Sequence, residues 1–262
     1  MDEPIKSAII EMRNVSKHYS GVTAVSNLSL TLRAGEVFCL LGENGAGKST
    51  VIKMLTGVEQ PSLGSVLIDG VEISLDNPRD ARSQGIATVY QEVGTLPLMS
   101  VGRNFVLGAE PTLGRGIFRR LDKKRAAELA LAELKELGIR RVDSGEQLVG
   151  TLSGGERQAL AIGRAVHFGA RVLVLDEPTA ALGVRESATV LRLIETVRNR
   201  GVAVLFITHN AYHAHRAGDY FMVLRRGESI AEFNRGEKTI SEVIELMAGG
   251  AELESLLSGL EE

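Results

Sequence analysis

The chain has 262 residues, of which 44% are hydrophobic and 24% charged, and this composition excludes a disordered or fibrous protein. Its 30 basic and 33 acidic side chains give a formal charge of -3, so no strong overall charge attracts the chain to nucleic acid or anionic lipid. The single cysteine, Cys39, excludes an intrachain disulfide and a cysteine-rich zinc site, and it is best interpreted as a buried strand residue.

The predicted elements begin with two or three antiparallel strands at residues 9–32, where apolar and polar residues alternate and the pattern breaks at residues 19–21. Continuously apolar runs follow at residues 37–41, 172–175 and 202–207. Such runs are typical of parallel strands buried on both faces, so they predict a parallel sheet between layers of helices. No uncharged apolar run approaches the roughly 18 residues of a membrane helix, and the first residues lack the pattern of a signal peptide.

Helical patterns alternate with these strands. Residues 122–137 predict a helix that Asp122 caps and Gly138 ends, with an apolar stripe formed by Ala127, Ala130, Leu131, Leu134 and Leu137. Residues 154–168 and 186–199 predict two further helices. A hairpin at residues 220–233, turned at Arg226 and Gly227, and a short helix at residues 240–247 complete the pattern.

The segment of residues 92–151 has helical pattern but no buried-strand run, which indicates a helical insertion in an α/β protein. We therefore predict a single domain over residues 1–262. Its α/β core with the antiparallel β layer covers residues 1–91 and 165–250, and a helical subdomain covers residues 92–164. Residues 251–262 form an acidic, leucine-bearing tail that we interpret as a frayed surface helix.

A glycine-rich segment fits the phosphate-loop pattern G-x-x-x-x-G-K-[ST] between a predicted buried strand and a predicted helix. Its residues are Gly42, Glu43, Asn44, Gly45, Ala46, Gly47, Lys48 and Ser49, followed by Thr50. The glycines let backbone N–H groups converge on phosphate oxygens, Lys48 reaches the terminal phosphates, and Ser49 can ligate Mg²⁺. The alternative, a plain glycine-rich turn, is disfavoured by this context, so the segment predicts nucleotide binding.

Two acidic residues, Asp176 and Glu177, end the apolar run at residues 172–175. Asp176 occupies the position where a phosphate-loop protein places a carboxylate that holds Mg²⁺. Glu177 is then the candidate base that orients or deprotonates the attacking water. Two solvated acids at a strand end are the alternative, and the phosphate loop makes the catalytic interpretation the better one.

A second glycine-rich helix start lies at Ser153, Gly154 and Gly155, after Leu152. It too offers bare N–H groups to an anion. It is either a helix capped by Ser153 or half of a composite site that another subunit completes, and spacing alone does not choose between them.

In their order along the chain, these motifs resemble those of the nucleotide-binding subunit of ATP-binding cassette (ABC) transporters. The match joins the phosphate loop, Gln91, the Leu-Ser-Gly-Gly motif at residues 152–155, the Asp-Glu-Pro motif at residues 176–178 and His209, and it covers nearly the whole chain. The resemblance implies a P-loop NTPase (RecA-like) fold: an α/β protein with a parallel sheet core, an N-terminal antiparallel β layer and a helical subdomain. It also implies hydrolysis of ATP with Mg²⁺ by two cassettes paired head to tail, each Leu-Ser-Gly-Gly motif closing on the partner's nucleotide.

The resemblance also assigns roles to single residues. Tyr19 would stack on adenine, and Gln91 would contact Mg²⁺ and the coupling region. Ser153 and Gly155 would touch the γ-phosphate in trans, and His209 would hold the γ-phosphate and Glu177 in register.

A zinc site is the alternative for the histidines, because His209 and His213 have the i, i+4 spacing of a helical metal pair. Asn210 stands where a zinc protease carries glutamate, which disfavours this alternative. We expect His213 and His215 to be surface residues.

Stretches at residues 88–92, 99–104 and 178–186 look like ATPases of bacterial monosaccharide importers for ribose, xylose and fructose. This similarity implies a homodimer at the cytoplasmic face of the inner membrane, bound to permease subunits and, through them, to a periplasmic sugar-binding protein. One alternative is a soluble ABC ATPase without a permease, acting in repair, translation or iron–sulfur assembly. Only a short basic cluster at residues 119–125 supports a nucleic-acid partner, so we expect none. Intact Glu177 and His209 disfavour another alternative, a non-hydrolytic nucleotide sensor.

Two residues depart from the family pattern. Many cassettes carry an acidic residue where this chain has Gly183, which puts communication between the two sites through that loop in doubt. Glu156 replaces the common glutamine after Leu-Ser-Gly-Gly and places a negative charge near a nucleotide.

Overall fold

The structure is a computed structural model that describes residues 7–91, 94–139 and 141–249, apart from the side chain of residue 117. The predicted tail at residues 251–262 lies outside these ranges. In chain order the elements are β1 (Ala8–Tyr19), β2 (Val22–Arg33), β3 (Val37–Leu41), α1 (Lys48–Leu55), β4 (Leu63–Ile68), β5 (Val71–Ile73), α2 (Pro78–Ser83), β6 (Ile86–Val89), α3 (Val101–Phe105), β7 (Thr112–Leu113), β8 (Arg120–Leu121), α4 (Lys123–Glu136), α5 (Gly154–His167), β9 (Val172–Asp176), α6 (Val184–Asn199), β10 (Ala203–Thr208), α7 (Ala211–Ala217), β11 (Tyr220–Arg225), β12 (Glu228–Asn234) and α8 (Ile240–Ala248).

The N-terminal strands form an antiparallel sheet in the order β2-β1-β4-β5. Strands β1 and β2 are joined at residues 20 and 21, as the sequence predicts, and Tyr19 pairs with Val22 across the turn. Alternate residues of these strands are buried, including Ile10, Met12, Leu28 and Leu30. The sheet therefore presents one apolar face to the core, which is the pattern expected of an antiparallel layer.

A second sheet of mixed direction has the order β12-β11-β3-β10-β9-β6. The three predicted buried strands β3, β10 and β9 lie side by side and pair in parallel. Strands β6 and β11 extend the parallel part on either side, and β12 pairs antiparallel with β11. The predicted α/β fold with a parallel sheet core and an antiparallel layer is confirmed.

Both faces of the mixed sheet are buried. Alternation along β3 directs Val37, Cys39 and Leu41 into a core shared with helices α4, α5 and α6. Phe38 and Leu40 enter a second core, shared with α1 and the antiparallel sheet. The central strand therefore binds the two cores together, and Cys39 is buried as predicted.

Helix α4 begins where the sequence predicts, because the Asp122 carboxylate accepts a hydrogen bond from the backbone N–H of Arg125 at 2.9 Å. It ends before Gly138, which has a φ of 83°. The predicted apolar stripe is wrong in part: Ala126 and Glu133 are buried, whereas Ala127 and Leu131 are half-buried. Glu133 turns inward because Arg200 and His167, both distant in sequence, bind its carboxylate.

Helix α6 begins at Val184, two residues before the predicted start, and α5 and α8 match their predictions within one residue. Within the described residues, no helix combines the length and the apolarity that crossing a membrane requires.

Candidate functional site

The carboxyl ends of four neighbouring parallel strands meet at one edge of the mixed sheet, in the order β3, β10, β9 and β6. A motif predicted from the sequence follows each of them. The phosphate-loop segment follows β3, His209 follows β10, Asp176 and Glu177 end β9, and Gln91 lies just beyond β6. The topology thus brings these separate motifs to one edge, which is where open α/β sheets bind ligands.

Two glycines give the phosphate loop its shape. Gly42 and Gly47 have φ values of 152° and 107°, a region that other residues rarely adopt. A Cβ on Gly47 would lie 2.6 Å from the carbonyl oxygen of Ala24 in β2, and one on Gly42 would collide with the carbonyl oxygen of Leu224 in β11. The loop is therefore pressed between the antiparallel sheet and the mixed sheet, and only glycine fits at these two positions.

Lys48 lies inside this loop with 7% of its surface exposed. Its Nζ donates hydrogen bonds to the carbonyl oxygens of Gly42 at 2.6 Å and Glu43 at 2.9 Å. Burial lowers the pKa of Lys48, and the nearby carboxylates of Glu177 and Asp176 oppose that shift. The loop thus surrounds a lysine whose charge is partly balanced by the acidic pair on β9.

Helix α1 begins at Lys48 without a side-chain cap, and its first turn carries no acidic residue. The N–H groups at its start and the positive end of its dipole therefore remain available to an anion. Ser49 is exposed and Thr50 half-buried at this helix start. The arrangement has the chemistry of a phosphate site.

Glu177 is a buried carboxylate with a fixed orientation. It is 9% exposed, and its φ of 49° turns the backbone sharply at the end of β9. Its Oε1 accepts hydrogen bonds from the backbone N–H of His209 at 2.9 Å and from its ring Nδ1 at 2.8 Å. Its Oε2 accepts from the hydroxyl of Thr208 at 3.1 Å. The carboxylate is therefore held by the strand end that carries His209.

Asp176 is half-buried beside this group, and its pKa is raised by burial and by the charge of Glu177, with Lys48 opposing. A cation at this point would relieve the repulsion between the two carboxylates. Among the described residues, no group of three or more His, Cys, Asp or Glu side chains is placed to hold a metal. Mg²⁺ fits such a site, because it is usually held by one or two protein ligands together with substrate phosphates rather than by a protein cage.

Two threonines and a histidine near the acidic pair were missed by sequence reasoning. Thr208 is fully buried against Glu177, and Thr179 lies 2.9 Å from the Nδ1 of His213. His213 is half-buried rather than a surface residue, and burial lowers its pKa. The only sequence signal was that Thr208 precedes His209 and Thr179 follows the Asp-Glu-Pro motif.

The predicted zinc alternative for His209 and His213 finds no support. Their Nδ1 atoms contact different partners, Glu177 for His209 and Thr179 for His213. His213 instead links the start of α7 to the loop after Glu177.

The second glycine-rich helix start is capped by Ser153, and this cap is compatible with a composite site because the Ser153 hydroxyl can still donate a hydrogen bond. The Ser153 hydroxyl accepts a hydrogen bond from the backbone N–H of Glu156 at 3.3 Å, and the Glu156 carboxylate accepts one from the Ser153 N–H at 2.8 Å. These reciprocal bonds form a capping box at the start of α5. Glu156, which departs from the common glutamine, therefore stabilises the motif in which it lies.

Two predicted site residues lie at the periphery. Tyr19 ends β1 with 37% of its surface exposed, and the Lys17 ammonium lies 5.4 Å from its ring centroid. Glu59 holds Lys17 through a salt bridge of 2.8 Å. Gln91 is exposed at the edge beyond β6.

A cleft of about 630 Å³ opens beside the phosphate loop. Polar residues of the site line one side of it, and α8 contributes apolar side chains to the other. Its lining includes Glu43, Asn44, His209, Tyr212, Ile244 and Met247. The site therefore has open space next to Glu43, Asn44 and His209.

Comparison with known proteins gives a consistent result. The family model described as ABC transporter matches residues 25–180. A fructose import ATP-binding protein of Rhizobium meliloti is 40% identical over 95% of this chain and 96% of its own length. A xylose/arabinose import ATP-binding protein of Sulfolobus acidocaldarius is 40% identical over 94% and 96%. A ribose import ATP-binding protein of Burkholderia pseudomallei is also 40% identical, but the chain spans only 46% of its length.

Solved structures agree. The ADP conformation of MJ1267, an ATP-binding cassette of an ABC transporter, superposes with a TM-score of 0.78 at 25% identity, covering 90% of this chain and 94% of that one. The ATP-binding cassette MJ0796, solved as a dimer in a post-hydrolysis state with ADP and phosphate, superposes with a TM-score of 0.70 at 25% identity. It covers 88% of this chain and 100% of its own.

Proposed function

This chain belongs to the ABC transporter family, and from that premise we propose that it is the ATP-hydrolysing subunit of a sugar importer. The observation that carries the proposal is the likeness, over almost the full length of both proteins, to a fructose import ATP-binding protein. The xylose/arabinose relative supports the same class of cargo. These relatives do not favour the alternative, an ABC ATPase without a permease.

For ATP binding we assign the triphosphate to the loop of residues 42–50 and the adenine to Tyr19. The bare N–H groups at the start of α1 and the Lys48 ammonium supply the positive potential that phosphates require. A partly exposed aromatic ring suits base stacking. The contact with the Lys17 ammonium helps to hold the Tyr19 ring in place. The cleft beside Glu43 and Asn44 leaves room for the nucleotide.

We assign Mg²⁺ to Ser49, Gln91 and Asp176, where the hydroxyl, amide and carboxylate oxygens suit a hard cation. An Mg²⁺ ion held there would supply positive charge that neutralises the triphosphate. Glu177 is assigned as the residue that orients or deprotonates the attacking water. His209 and Thr208 fix the carboxylate, so it needs no reorganisation when the reaction begins.

We further propose that two copies of the chain pair head to tail. Ser153, Gly154 and Gly155 of each copy would then close on the nucleotide bound by the other, completing two composite sites. The dimeric cassette with ADP and phosphate, which resembles this chain in fold, supports the pairing. A nucleotide that fills such an interface holds the two copies together, and its hydrolysis releases them.

The helical subdomain, residues 92–164, is our candidate for the surface that receives a membrane permease, with Gln91 at its junction. We propose that the subunit lies at the cytoplasmic face of the membrane. A periplasmic sugar-binding protein would be an indirect partner, and we propose no nucleic-acid partner.

The test is purification of the tagged chain from detergent-solubilised membranes, followed by mass spectrometry of what accompanies it. We expect a polytopic membrane protein in stoichiometric amount and an ATPase activity that rises when a transported sugar and its binding protein are added. ATPase activity without any associated membrane protein would favour the permease-free alternative. Absence of ATPase activity in the assembled complex would overturn the proposal.

A further inference from the structure

Glu186, in the first turn of α6, binds two loops at once. Its Oε1 accepts a hydrogen bond from the backbone N–H of Gly154 at 3.1 Å, and its Oε2 accepts one from the N–H of Gly183 at 3.2 Å. Gly154 belongs to the Leu-Ser-Gly-Gly motif, and Gly183 ends the loop that begins at Glu177. We propose that Glu186 is a positioning residue that couples the motif of one composite site to the catalytic loop of the other. This inference rests on the proposed head-to-tail dimer.

The first step concerns the donors at the start of α5. The N–H of Ser153 is bound by Glu156, that of Glu156 by the Ser153 hydroxyl, and that of Gly154 by Glu186. Within the described part of the chain, the N–H of Gly155 has no acceptor. The Ser153 hydroxyl accepts a bond and keeps its own proton to donate. The carboxylates of Glu156 and Glu186 thus leave two donors free, the Ser153 hydroxyl and the Gly155 N–H. These two groups are the ones assigned to the partner's γ-phosphate.

The second step concerns packing. A Cβ on Gly154 would collide with the Cδ2 of Leu182, and one on Gly155 would lie 3.3 Å from the Cβ of Glu186. The helix start and the loop are therefore in direct contact, without room for an intervening side chain. Any shift of the Leu-Ser-Gly-Gly motif must move Leu182 or Glu186.

The third step concerns the loop itself. The N–H of Ala180 donates to the carbonyl oxygen of Glu177 at 3.0 Å, and the N–H of Leu182 donates to that of Thr179 at 3.4 Å. Ala181 has a φ of 59°, which tightens the second turn. Two overlapping hydrogen-bonded turns therefore connect Glu177 to Leu182, which contacts the motif. The path from the motif to Glu177 is therefore short and continuous.

The departure at Gly183 now has a structural answer. Glycine has no side chain to hold this loop, but the carboxylate three residues later reaches back to the Gly183 N–H. The same carboxylate extends across to Gly154. A single side chain therefore joins the loop at Gly183 to the Leu-Ser-Gly-Gly motif.

The experiment compares Glu186→Ala and Glu186→Gln in a chain that also carries Glu177→Gln, so that ATP is retained. We expect the parent to dimerise with MgATP in size-exclusion chromatography with light scattering. In the Glu186→Ala chain, dimerisation should need at least about tenfold more protein, because the loss of one charge-assisted hydrogen bond alone is worth a factor of this size. The affinity of the monomer for MgATP should not change, since Glu186 contacts no residue of the phosphate loop. Glu186→Gln, which keeps one acceptor oxygen, should be intermediate.

Glu242→Ala is the matched control, because the Glu242 carboxylate likewise accepts a hydrogen bond from the backbone N–H three residues earlier, that of Thr239 at the start of α8. Both alanine variants should lower Tm to a similar extent, but only Glu186→Ala should weaken the dimer. In the catalytically active chain, Glu186→Ala should also reduce the Hill coefficient for ATP towards 1.

Equal dimerisation of the parent and the Glu186→Ala chain would overturn the inference. A similar loss in the Glu242→Ala chain would also overturn it, by reducing Glu186 to a stabilising cap. A parent that stays monomeric with MgATP would instead contradict the proposed dimer itself, so the two failures are distinguishable.

Discussion

His209 and Glu177 are joined by two hydrogen bonds to one oxygen: the backbone N–H and the ring Nδ1 of His209 lie 2.9 and 2.8 Å from the Oε1 of Glu177. Because an ionised carboxylate only accepts, the Nδ1 must carry a proton in this contact. The His209 side chain is 59% exposed, and its other ring nitrogen, Nε2, lies on the side of the ring away from Glu177. Donation to a phosphate through that second nitrogen requires the charged imidazolium.

His209→Ala should lower kcat for ATP hydrolysis by about 100-fold, because the carboxylate loses one of its orienting donors and the γ-phosphate loses a contact. The dissociation constant for MgATP should change little. Single-turnover hydrolysis and calorimetry measure the two quantities separately. His215→Ala on α7 is the control, and an equal loss of kcat in that variant would contradict a specific role for His209.

Glu177→Gln should lower kcat by at least about 100-fold, the range expected for loss of a general base. MgATP binding should persist, since the amide keeps the shape of the carboxylate and the phosphate loop is untouched. The trapped nucleotide should then stabilise the dimer. Turnover close to that of the parent chain would sink the assignment of the base.

Lys48→Ala should weaken ATP binding by at least about 100-fold, because a charge-assisted contact to phosphate is lost together with the loop's internal hydrogen bonds. Lys53→Ala is a matched control, because Lys53 is an exposed lysine on the same helix and its substitution changes the net charge by the same amount. Calorimetry with MgATP measures both. Undiminished affinity in the Lys48 variant would reject the phosphate-loop interpretation.

The Asp176 carboxyl gives a pH-dependent prediction. Its pKa is raised in the folded chain by burial and by Glu177. The folded state therefore holds the proton more tightly than the unfolded state, and the free energy of unfolding falls as pH rises from the ordinary carboxyl pKa through the raised one. The penalty is complete only above the raised pKa, and Asp176→Asn removes it.

Without nucleotide, Asp176→Asn should raise Tm by roughly 2 °C at about pH 7 and by less at about pH 4. With saturating MgATP the variant should have a lower Tm than the parent chain, because it lacks the carboxylate assigned to the cation. Thermal denaturation across this pH range measures both effects. Without nucleotide, a Tm difference between the Asp176→Asn variant and the parent chain that narrows as pH rises would contradict the sign of the pKa shift.

Gly227, in the turn between β11 and β12, ties the phosphate loop to the antiparallel sheet. Its N–H donates to the carbonyl oxygen of Ala46 at 2.9 Å, and its own carbonyl oxygen accepts from Ser26 at 2.8 Å. A Cβ at this position would lie 2.7 Å from the carbonyl oxygen of Ala24. Gly227→Ala should therefore reduce the free energy of unfolding by about 2–4 kcal/mol and weaken ATP binding as well.

Gly236→Ala separates backbone strain from this collision. Gly236 has a φ of 86°, close to the 84° of Gly227, but a Cβ there would have no atom within 4 Å. This control should lose only about 1 kcal/mol and keep its ATP affinity. Denaturant unfolding compares the two, and equal losses would contradict the proposed role of the turn.

The central strands could be predicted from the sequence because a continuously apolar run of four to six residues, bounded by turn residues, has few other interpretations. Strands β4, β5 and β6 were not predicted. β6 is only four residues long with two of them buried, which gives no usable periodicity. The parallel pairing of β11 with β3 was also out of reach, because a hairpin pattern specifies one neighbour and not the second.

The position of a candidate site residue could be predicted where the residue lies at the end of a strand, as for Asp176, Glu177 and His209. Thr208 and Glu186 were missed because their roles depend on contacts across 31 and 32 residues. The error in the α4 stripe has the same origin, since Glu133 is buried by Arg200, 67 residues away. Local periodicity holds no information about such partners.

The geometry of Lys48 has one more consequence. An ammonium group has three N–H bonds in a tetrahedral arrangement, and two of them are committed to the carbonyl oxygens of Gly42 and Glu43. The third N–H bond can reach a phosphate oxygen while the loop keeps its internal hydrogen bonds. Lys48 can therefore stabilise the loop and bind phosphate at the same time. Arginine has the same charge, but its donors lie in one plane and cannot divide in this way. Arginine could therefore replace the charge of Lys48 but not the tetrahedral arrangement of its three N–H donors.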